Sequence, residues 1–524
     1  MLAFAGGAVA SAIEGVANTL APAASGKDSV FLQGNFAPVS GDAVFRDLVV
    51  LGTLPEEVSG MFLRVGPNPG MPVNSGYHVF DGDGMVHGVR LQPGSNRATY
   101  SRHQIETAKL SQERAYGRAM FPNIGSMRGL GGLARLMAFQ LRVFCGQIRA
   151  GSTANTALVQ HAGRLLALNE SDAPYALRVA PDGTISTEGA LMLQQLTPFT
   201  AHPKVDPETG MLHAFGYKIM GKPGLRYYVL DAAGKLVHSL EVPLPKPIMM
   251  HDFAITKNYV LFLDFNVVFD PSRIVHNEVP FKFDALKKAR IGVMRKLERD
   301  VANIKWVEVP AQAVFHVLNA FENTRSGNIE MVAARMMDFS LDLDVIMGDQ
   351  VPDAHRNKAV HYDIDINKLT CKETVVLDLK EGHLSCDFPV VNPRLLGRES
   401  RFGFIASFRP GTALIARGVH KLDLARIGPD NAAEAGFIPF GEGCGGGECV
   451  FVPRDAKHAR GEDDGFLLTF VYDETKRHSH LCIWDAYTMN PEPVARVLMP
   501  QRVTYGFHGT FVPESDFEKV TARL

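Results

Sequence analysis

From about Phe31 onward the chain is one unbroken succession of short runs rich in Val, Leu, Phe and Tyr, among them "RLLALNE", "MLHAFGY", "NYVLFLDF", "IEMVAARM", "RFGFIASF" and "GFLLTFVYD". Residues of these types fit a pleated, buried surface, so the runs read as strands. Between them stand "DPETG", "DAAGK", "FDGDG" and "RGEDDG", which place Asp, Gly and Pro where a chain must reverse. The helical share is small, and the fold class is all-β. No change of composition marks a linker, so residues 31–524 are expected to form one domain. A radial β-architecture suits that better than a chain of separate sandwiches, and a propeller is the expectation. Periodicity does not count its blades, because no WD-type or kelch-type repeat stands out.

With 524 residues, 46% of them hydrophobic, a large core is available. The formal net charge of -2 gives no electrostatic reason to expect nucleic acid. The partner is expected to be neutral. Six scattered cysteines (Cys145, Cys371, Cys386, Cys444, Cys449, Cys482) form no regular framework and point to free thiols in a reducing compartment.

Two segments break the β pattern. In residues 1–30, Leu2, Ala5, Val9, Ile13, Val16 and Leu20 recur at helical spacing with Ser11, Glu14 and Asn18 opposite, which predicts an amphipathic arm. No apolar run reaches the ~20 residues needed to span a bilayer. Residues 1–26 contain no Lys or Arg, which argues against an intact transit peptide. The second segment, "GGLARLMAFQLRVFCGQIR", sets Leu133, Leu136, Met137, Leu141 and Phe144 on one helical stripe with Arg135 and Arg142 elsewhere. It reads equally as a helix packed on the β-core or as one lying at a membrane surface, its arginines at the headgroup boundary.

Eighteen histidines are present, so residue type alone selects nothing. His202 ("FTAHPK"), His251 ("IMMHDFAIT"), His316 ("AVFHVLNAFE") and His508 ("YGFHGTFVP") each lie among apolar neighbours near strand ends, and His87 ("GMVHGV") passes the same test. A buried imidazole must satisfy two ring nitrogens, by metal or by hydrogen bonds in the core. The intervals between these residues far exceed those of zinc fingers or an HExxH helix. A shared metal therefore requires distant blades to converge on the propeller axis. An all-imidazole set suits iron, copper, nickel or zinc and does not suit magnesium or calcium. Elsewhere, "GEGCGG" has GxGxxG spacing but leads into a strand, Cys444 and Cys449 lack a second pair, and His478 and His480 sit in a polar hairpin.

The sequence resembles the carotenoid cleavage oxygenases, and within them the plant nine-cis-epoxycarotenoid dioxygenase and carotenoid cleavage dioxygenase branch. The likeness runs from Phe31 to Pro513 through "GNFAPV", "HVFDGDGMVHG", "AHPKVDPETGMLHAF", "MMHDFAIT", "NPRLLGRESRFGF", "RGEDDGFLLTFVYDE" and "YGFHGTFVP". It implies a seven-bladed β-propeller with a helical cap over its top face, residues of about 107–149 facing a membrane, and iron(II) on the axis. By the same resemblance His202, His251, His316 and His508 are the ligands, and His87 drops out. Glu170 is expected to support His251, Asp387 to support His316, and Glu448 to support His508. The implied activity is a dioxygenase that uses Fe(2+) and O2 to cleave a double bond of a carotenoid or apocarotenoid in a plastid, with peripheral membrane contact through 1–20 and 131–149. Phe388 is the expected wall of the substrate tunnel. Stilbene cleavage, polyene isomerisation and a propeller without catalysis are the alternatives.

Two departures from the family pattern stand out. Asp387 replaces a glutamate, so its hydrogen bond to His316 is expected to be long or water-mediated. Leu318 and Phe321 stand where the plant branch carries tryptophans, which bears on substrate identity.

Overall fold

The computed structural model describes residues 2–20, 29–73, 76–149, 151–191, 198–217, 221–341, 351–380, 384–408 and 415–521. Its strands form seven antiparallel blades and one two-stranded ribbon, Val267–Phe269 with Phe281–Phe283. Blade 1 holds Gly60–Pro67, Gly84–Gln92 and Arg97–Gln104, with Ala43–Phe45 on its outer edge. Blade 2 spans Ala157–His161 to Ile185–Ala190, blade 3 Lys204–Val205 to Leu236–Pro243, and blade 4 Ala254–Ile255 to Lys305–Val309. Blade 5 runs from Ala313–Glu322 to Thr370–Leu377 and blade 6 from Ser385–Val390 to Glu434–Pro439. Blade 7 comprises Cys444–Gly445, Val450–Pro453, Gly465–Asp473, His478–Asp485 and Ala495–Leu498.

The two ends of the chain close the ring by exchange. The late strand Gly509–Pro513 pairs with Gly60–Pro67 in blade 1, with Gly60 opposite Pro513 and Arg64 opposite Gly509. The early strand Val50–Gly52 completes the outer edge of blade 7, with Val50 opposite Val497. Each terminus thus covers an edge that would otherwise present unpaired backbone.

Each blade packs on a neighbour at both faces, and this explains why the sequence shows apolar runs instead of clean alternation. Every residue of Gly60–Pro67 and of Gly465–Asp473 is buried. One cluster alone joins Phe215 and Tyr227 of blade 3, Phe262 and Ile291 of blade 4, and Met331 and Tyr362 of blade 5. Leu318 belongs to such a cluster, between blades 5 and 6, where it presses on Gly403. Its difference from the plant branch therefore concerns blade packing, and Phe321 is also buried in the wall.

Outside the blades stand α1 (Leu2–Leu20), α2 (Ala108–Tyr116) and α3 (Gly129–Phe144). Thr107 caps α2 by accepting from Leu110 N (3.1 Å), and Gly117 ends it at φ +69. Helix α1 lies along α3 with Glu14 turned toward it: Glu14 pairs with Arg142 and Arg118 (2.8 Å each), and Ser11 accepts from Arg142 (3.2 Å). Ala10 and Ala17 let the two helices approach. Val9 and Val16 consequently face outward, as do Leu130, Met137 and Phe144 of α3. Of the predicted stripe, the side chains of Leu2, Ala5 and Leu20, and of Asn18 opposite, lie outside the described residues. Of the two arginines of α3 expected at a headgroup boundary, Arg142 is instead buried because Glu14 draws it inward, and Arg135 is half-buried. No described helix is long and apolar enough to cross a membrane.

Candidate metal centre

The hub receives a residue from every blade. His508 immediately precedes the closing strand of blade 1, His202 and His251 precede the innermost strands of blades 3 and 4, and His316 lies within that of blade 5. Blade 2 contributes Glu170, blade 6 Asp387 and blade 7 Glu448. The register slips on both sides of Val317 and again between Asp387 and Val390. Such bulges turn a side chain away from the regular pleat, here toward the axis.

The four imidazoles converge, with one ring nitrogen of each within 4.8 Å of the others. His202 Nε2 and His251 Nε2 are 3.0 Å apart. Three rings are held from behind by carboxylates: His251 Nδ1 by Glu170 Oε1, His316 Nδ1 by Asp387 Oδ1 (2.8 Å) and His508 Nδ1 by Glu448 Oε1 (2.9 Å). The carboxylates are themselves fixed. Tyr217 Oη donates to Glu170 (2.7 Å), Asn357 Nδ2 to Asp387 (2.9 Å) and Gly509 N to Glu448 (2.9 Å). His202 has no carboxylate behind it among the described residues.

This arrangement fits a metal. Each carboxylate accepts a hydrogen bond from an Nδ1–H, a tautomer that presents the Nε2 lone pair to the axis. His316 Nε2 is buried with no hydrogen-bond partner among the described residues, a costly orphan in a protein interior. Burial and the neighbouring imidazoles hold the His202 and His316 rings well below the usual range, so they stay neutral and able to donate a lone pair. Burial also pushes Asp387 up to about 7, while the Phe388 backbone N–H and the adjacent His251 and His508 oppose the shift. His251 moves upward: burial lowers it, but Glu170, with Asp252 and Asp387 behind, outweighs that.

Asp387 does not stand off from His316 as its shorter side chain predicts; at 2.8 Å the bond is direct. The bulge supplies the missing reach. Phe388 adopts φ +51, a left-handed conformation that costs a bulky residue energy, and its ring is wedged 5.4 Å from His316 and 5.1 Å from His508. Of the other candidates, His87 stays inside blade 1, bonded to Tyr100 Oη (2.8 Å). "GEGCGG" is a turn with φ +110 at Gly441 and φ +66 at Gly443. His478 opens a hairpin strand opposite Asp473.

Sequence reasoning missed a second tier. Asp252 accepts from Val317 N (2.8 Å) with one oxygen and pairs with Lys204 Nζ (2.7 Å) with the other. Lys204 is two residues from His202, Val317 adjoins His316, and Asp252 adjoins His251, so one buried carboxylate clasps three ligand-bearing segments. Phe315, 4.8 Å from the His251 ring, continues into an apolar cluster with Phe80, Met249, Phe281, Phe283 and Phe339. The sequence "HDF" held the only hint, an acid too close to a ligand to be a solvated turn.

Seven blades that hand four imidazoles to one point define a propeller with a metal-binding hub. The chain belongs to the family described as retinal pigment epithelial membrane protein, which includes the carotenoid cleavage oxygenases and whose model matches residues 36–513. It is 39% identical to carotenoid 9,10(9',10')-cleavage dioxygenase 1 of Phaseolus vulgaris over 93% of this chain and 90% of that protein. With 9-cis-epoxycarotenoid dioxygenase NCED6 of Arabidopsis thaliana the identity is 35% over 94% and 83%. The crystal structure of Pseudomonas brassicacearum lignostilbene dioxygenase superposes with a TM-score of 0.77 at 25% identity, covering 93% of this chain and 99% of that one.

Proposed function

We propose that this protein is a non-haem iron(II) dioxygenase that splits one carbon–carbon double bond of a carotenoid or apocarotenoid and leaves a carbonyl on each fragment. The observation that carries the reading is the set of inward lone pairs on His202, His251, His316 and His508, on a chain related over most of its length to carotenoid cleavage dioxygenases. These four residues would hold the metal; when bound, iron(II) supplies the redox chemistry that activates O2. Glu170, Asp387 and Glu448 accept from the Nδ1–H groups, which keeps those protons on the rings and fixes the ring planes. Phe315 and Phe388 flank the ligands, exclude water and leave a flat approach for a polyene. Both atoms of O2 end in the products, so no organic cofactor enters the balance.

The outward Val9, Val16, Leu130, Met137 and Phe144 form the surface through which residues 1–20 and 131–149 meet a bilayer peripherally, and Phe144 is 89% exposed. A plastid membrane is the proposed location, in keeping with relatives named as chloroplastic. Residues 1–30 act as an arm of the 31–524 domain. Incubating ferrous-loaded protein with a panel of carotenoids and stilbenes, followed by mass analysis of carbonyl products, tests the reading. Aldehydes from the stilbenes alone would transfer it to the activity named for the Pseudomonas structure.

A further inference from the structure

A cavity of about 480 Å³ lies between the three helices and the loops of blade 1. Pro69, Met71, Val73, Met120, Phe121 and Pro122 supply its apolar wall. Its charged groups are already matched. Lys109 Nζ bonds Asp83 and Glu113 (2.8 Å each), Arg118 pairs with Glu14 (2.8 Å), and Arg135 lies in the field of Glu14. Asp81 accepts from the backbone of His78 (2.8 Å), Ile124 (2.6 Å) and Gly125 (3.0 Å). An ionic ligand would have to displace one of these partners, so the cavity favours a neutral molecule.

One polar group is left over. Tyr77 lines the cavity, is 4% exposed, and its hydroxyl has no hydrogen-bond partner among the described residues. Room for that hydroxyl is kept by Gly82, where a Cβ would lie 2.5 Å from it. A ligand oxygen in the cavity would give that hydroxyl a hydrogen-bond partner. Asp81 of its lining adjoins Phe80 in the chain, which packs 5.5 Å from Phe507, the residue before His508. On its other side stand the helices whose apolar faces point outward.

We propose that this cavity is a holding site for a neutral hydrocarbon ring bearing one oxygen, the hydroxylated or keto end of the polyene, and that Tyr77 reads that oxygen. The proposal rests on the polyene-cleavage reading above for the identity of its ligand. It assigns the chain a preference among substrates that the hub does not supply, since the residues flanking the imidazoles there, Phe315 and Phe388, are apolar.

The test is calorimetric titration of the full chain with 1,3,3-trimethylcyclohexene, with its ring-hydroxylated derivative 3,5,5-trimethylcyclohex-3-en-1-ol, and with dodecan-1-ol as a membrane-lipid surrogate. The hydroxylated ring should bind about fivefold more tightly than the hydrocarbon ring, the worth of one neutral hydrogen bond. Tyr77→Phe should bring the two rings to parity. Met71→Trp, which fills the cavity, should weaken both. Equal affinities in the wild type, a preference that survives Tyr77→Phe, ring binding unaffected by Met71→Trp, or dodecan-1-ol binding as tightly as the hydroxylated ring would each overturn the proposal. No turnover enters this measurement, so its failure stands apart from any failure of the cleavage assay.

Discussion

Replacing Asp252 by alanine should loosen three of the four imidazoles at once. The side chain is 2% exposed and takes Val317 N at 2.8 Å and Lys204 Nζ at 2.7 Å. Its removal leaves a lysine without its counter-charge and a backbone N–H without an acceptor. Breaking a buried pair costs ~3–5 kcal/mol. Lys204 keeps 13% of its side chain in contact with solvent, which favours the lower end, about 3 kcal/mol. At ~2.1 cal/mol/K of unfolding entropy per residue, a chain of 524 residues melts only ~3 °C lower for that loss. The metal should feel it more, because ligand support of this kind is worth ~10- to 100-fold in affinity. Iron affinity measured by chelator competition, beside a melting curve of the metal-free protein, separates the two effects. Asp252→Asn, which keeps an acceptor for Val317 but loses the charge, should fall between. If Asp252→Ala binds iron as tightly as the wild type while melting lower, the carboxylate merely braces blade 4, and the clasp argument is wrong.

Three further outcomes are expected. His316→Ala should abolish iron retention and turnover while His478→Ala leaves both as they are, read by metal analysis and product yield; equal losses would refute the ligand set. Leu130→Glu combined with Phe144→Glu should cut co-sedimentation with liposomes at least tenfold, with cleavage of detergent-dispersed substrate retained, since both side chains point away from the fold. His78 carries a pH signature: burial, aided by Arg128, holds it down at about 3, and its Nδ1 accepts from Phe80 N (3.2 Å). A histidine depressed on folding contributes stability above its unfolded value near 6.5, and that stability is lost as pH falls toward 3. Between pH 7.5 and 5 the loss amounts to ~2 kcal/mol. His78→Asn, which keeps an acceptor for Phe80 N but does not titrate, should narrow the stability gap to wild type by that amount in denaturant titrations at the two pH values.

The all-β class was legible because burial on both faces of a blade leaves a mark on every strand, as in Gly465–Asp473. The number of blades was not, since it depends on how chain ends such as Val50–Gly52 and Gly509–Pro513 pair across the whole sequence. Among the histidines, local context ranked His87 with the true hub residues because both kinds are buried. What separates them is the partner of the second nitrogen, Tyr100 for His87 and the axis for His316, and that is fixed only by the fold. The Asp387 expectation failed for a related reason. Side-chain length was compared on an ideal strand, whereas the backbone at Phe388 leaves the strand region altogether. The inward turn of Glu14 in α1 escaped because its partner, Arg142, lies more than a hundred residues away.

A hub that draws one residue from each blade makes the metal site and the closure of the ring a single problem. His508 is bonded to Glu448 of blade 7, and the next residue, Gly509, donates to the same carboxylate before pairing with Arg64 of blade 1. The last imidazole can therefore reach the axis only when the late strand has docked and joined the first blade to the last. A metal that binds the closed ring and not the open one adds its binding free energy to that docking. The carboxylates contribute in the same sense, since each ties a ligand to another blade: Glu170 links blades 2 and 4, Asp387 blades 6 and 5, and Glu448 blades 7 and 1. The strained turn at Phe388 fits this logic. A regular strand there would spare the local cost, but it would leave His316 without its partner, and the strain is tolerated because the rest of the ring fixes where Asp387 must be.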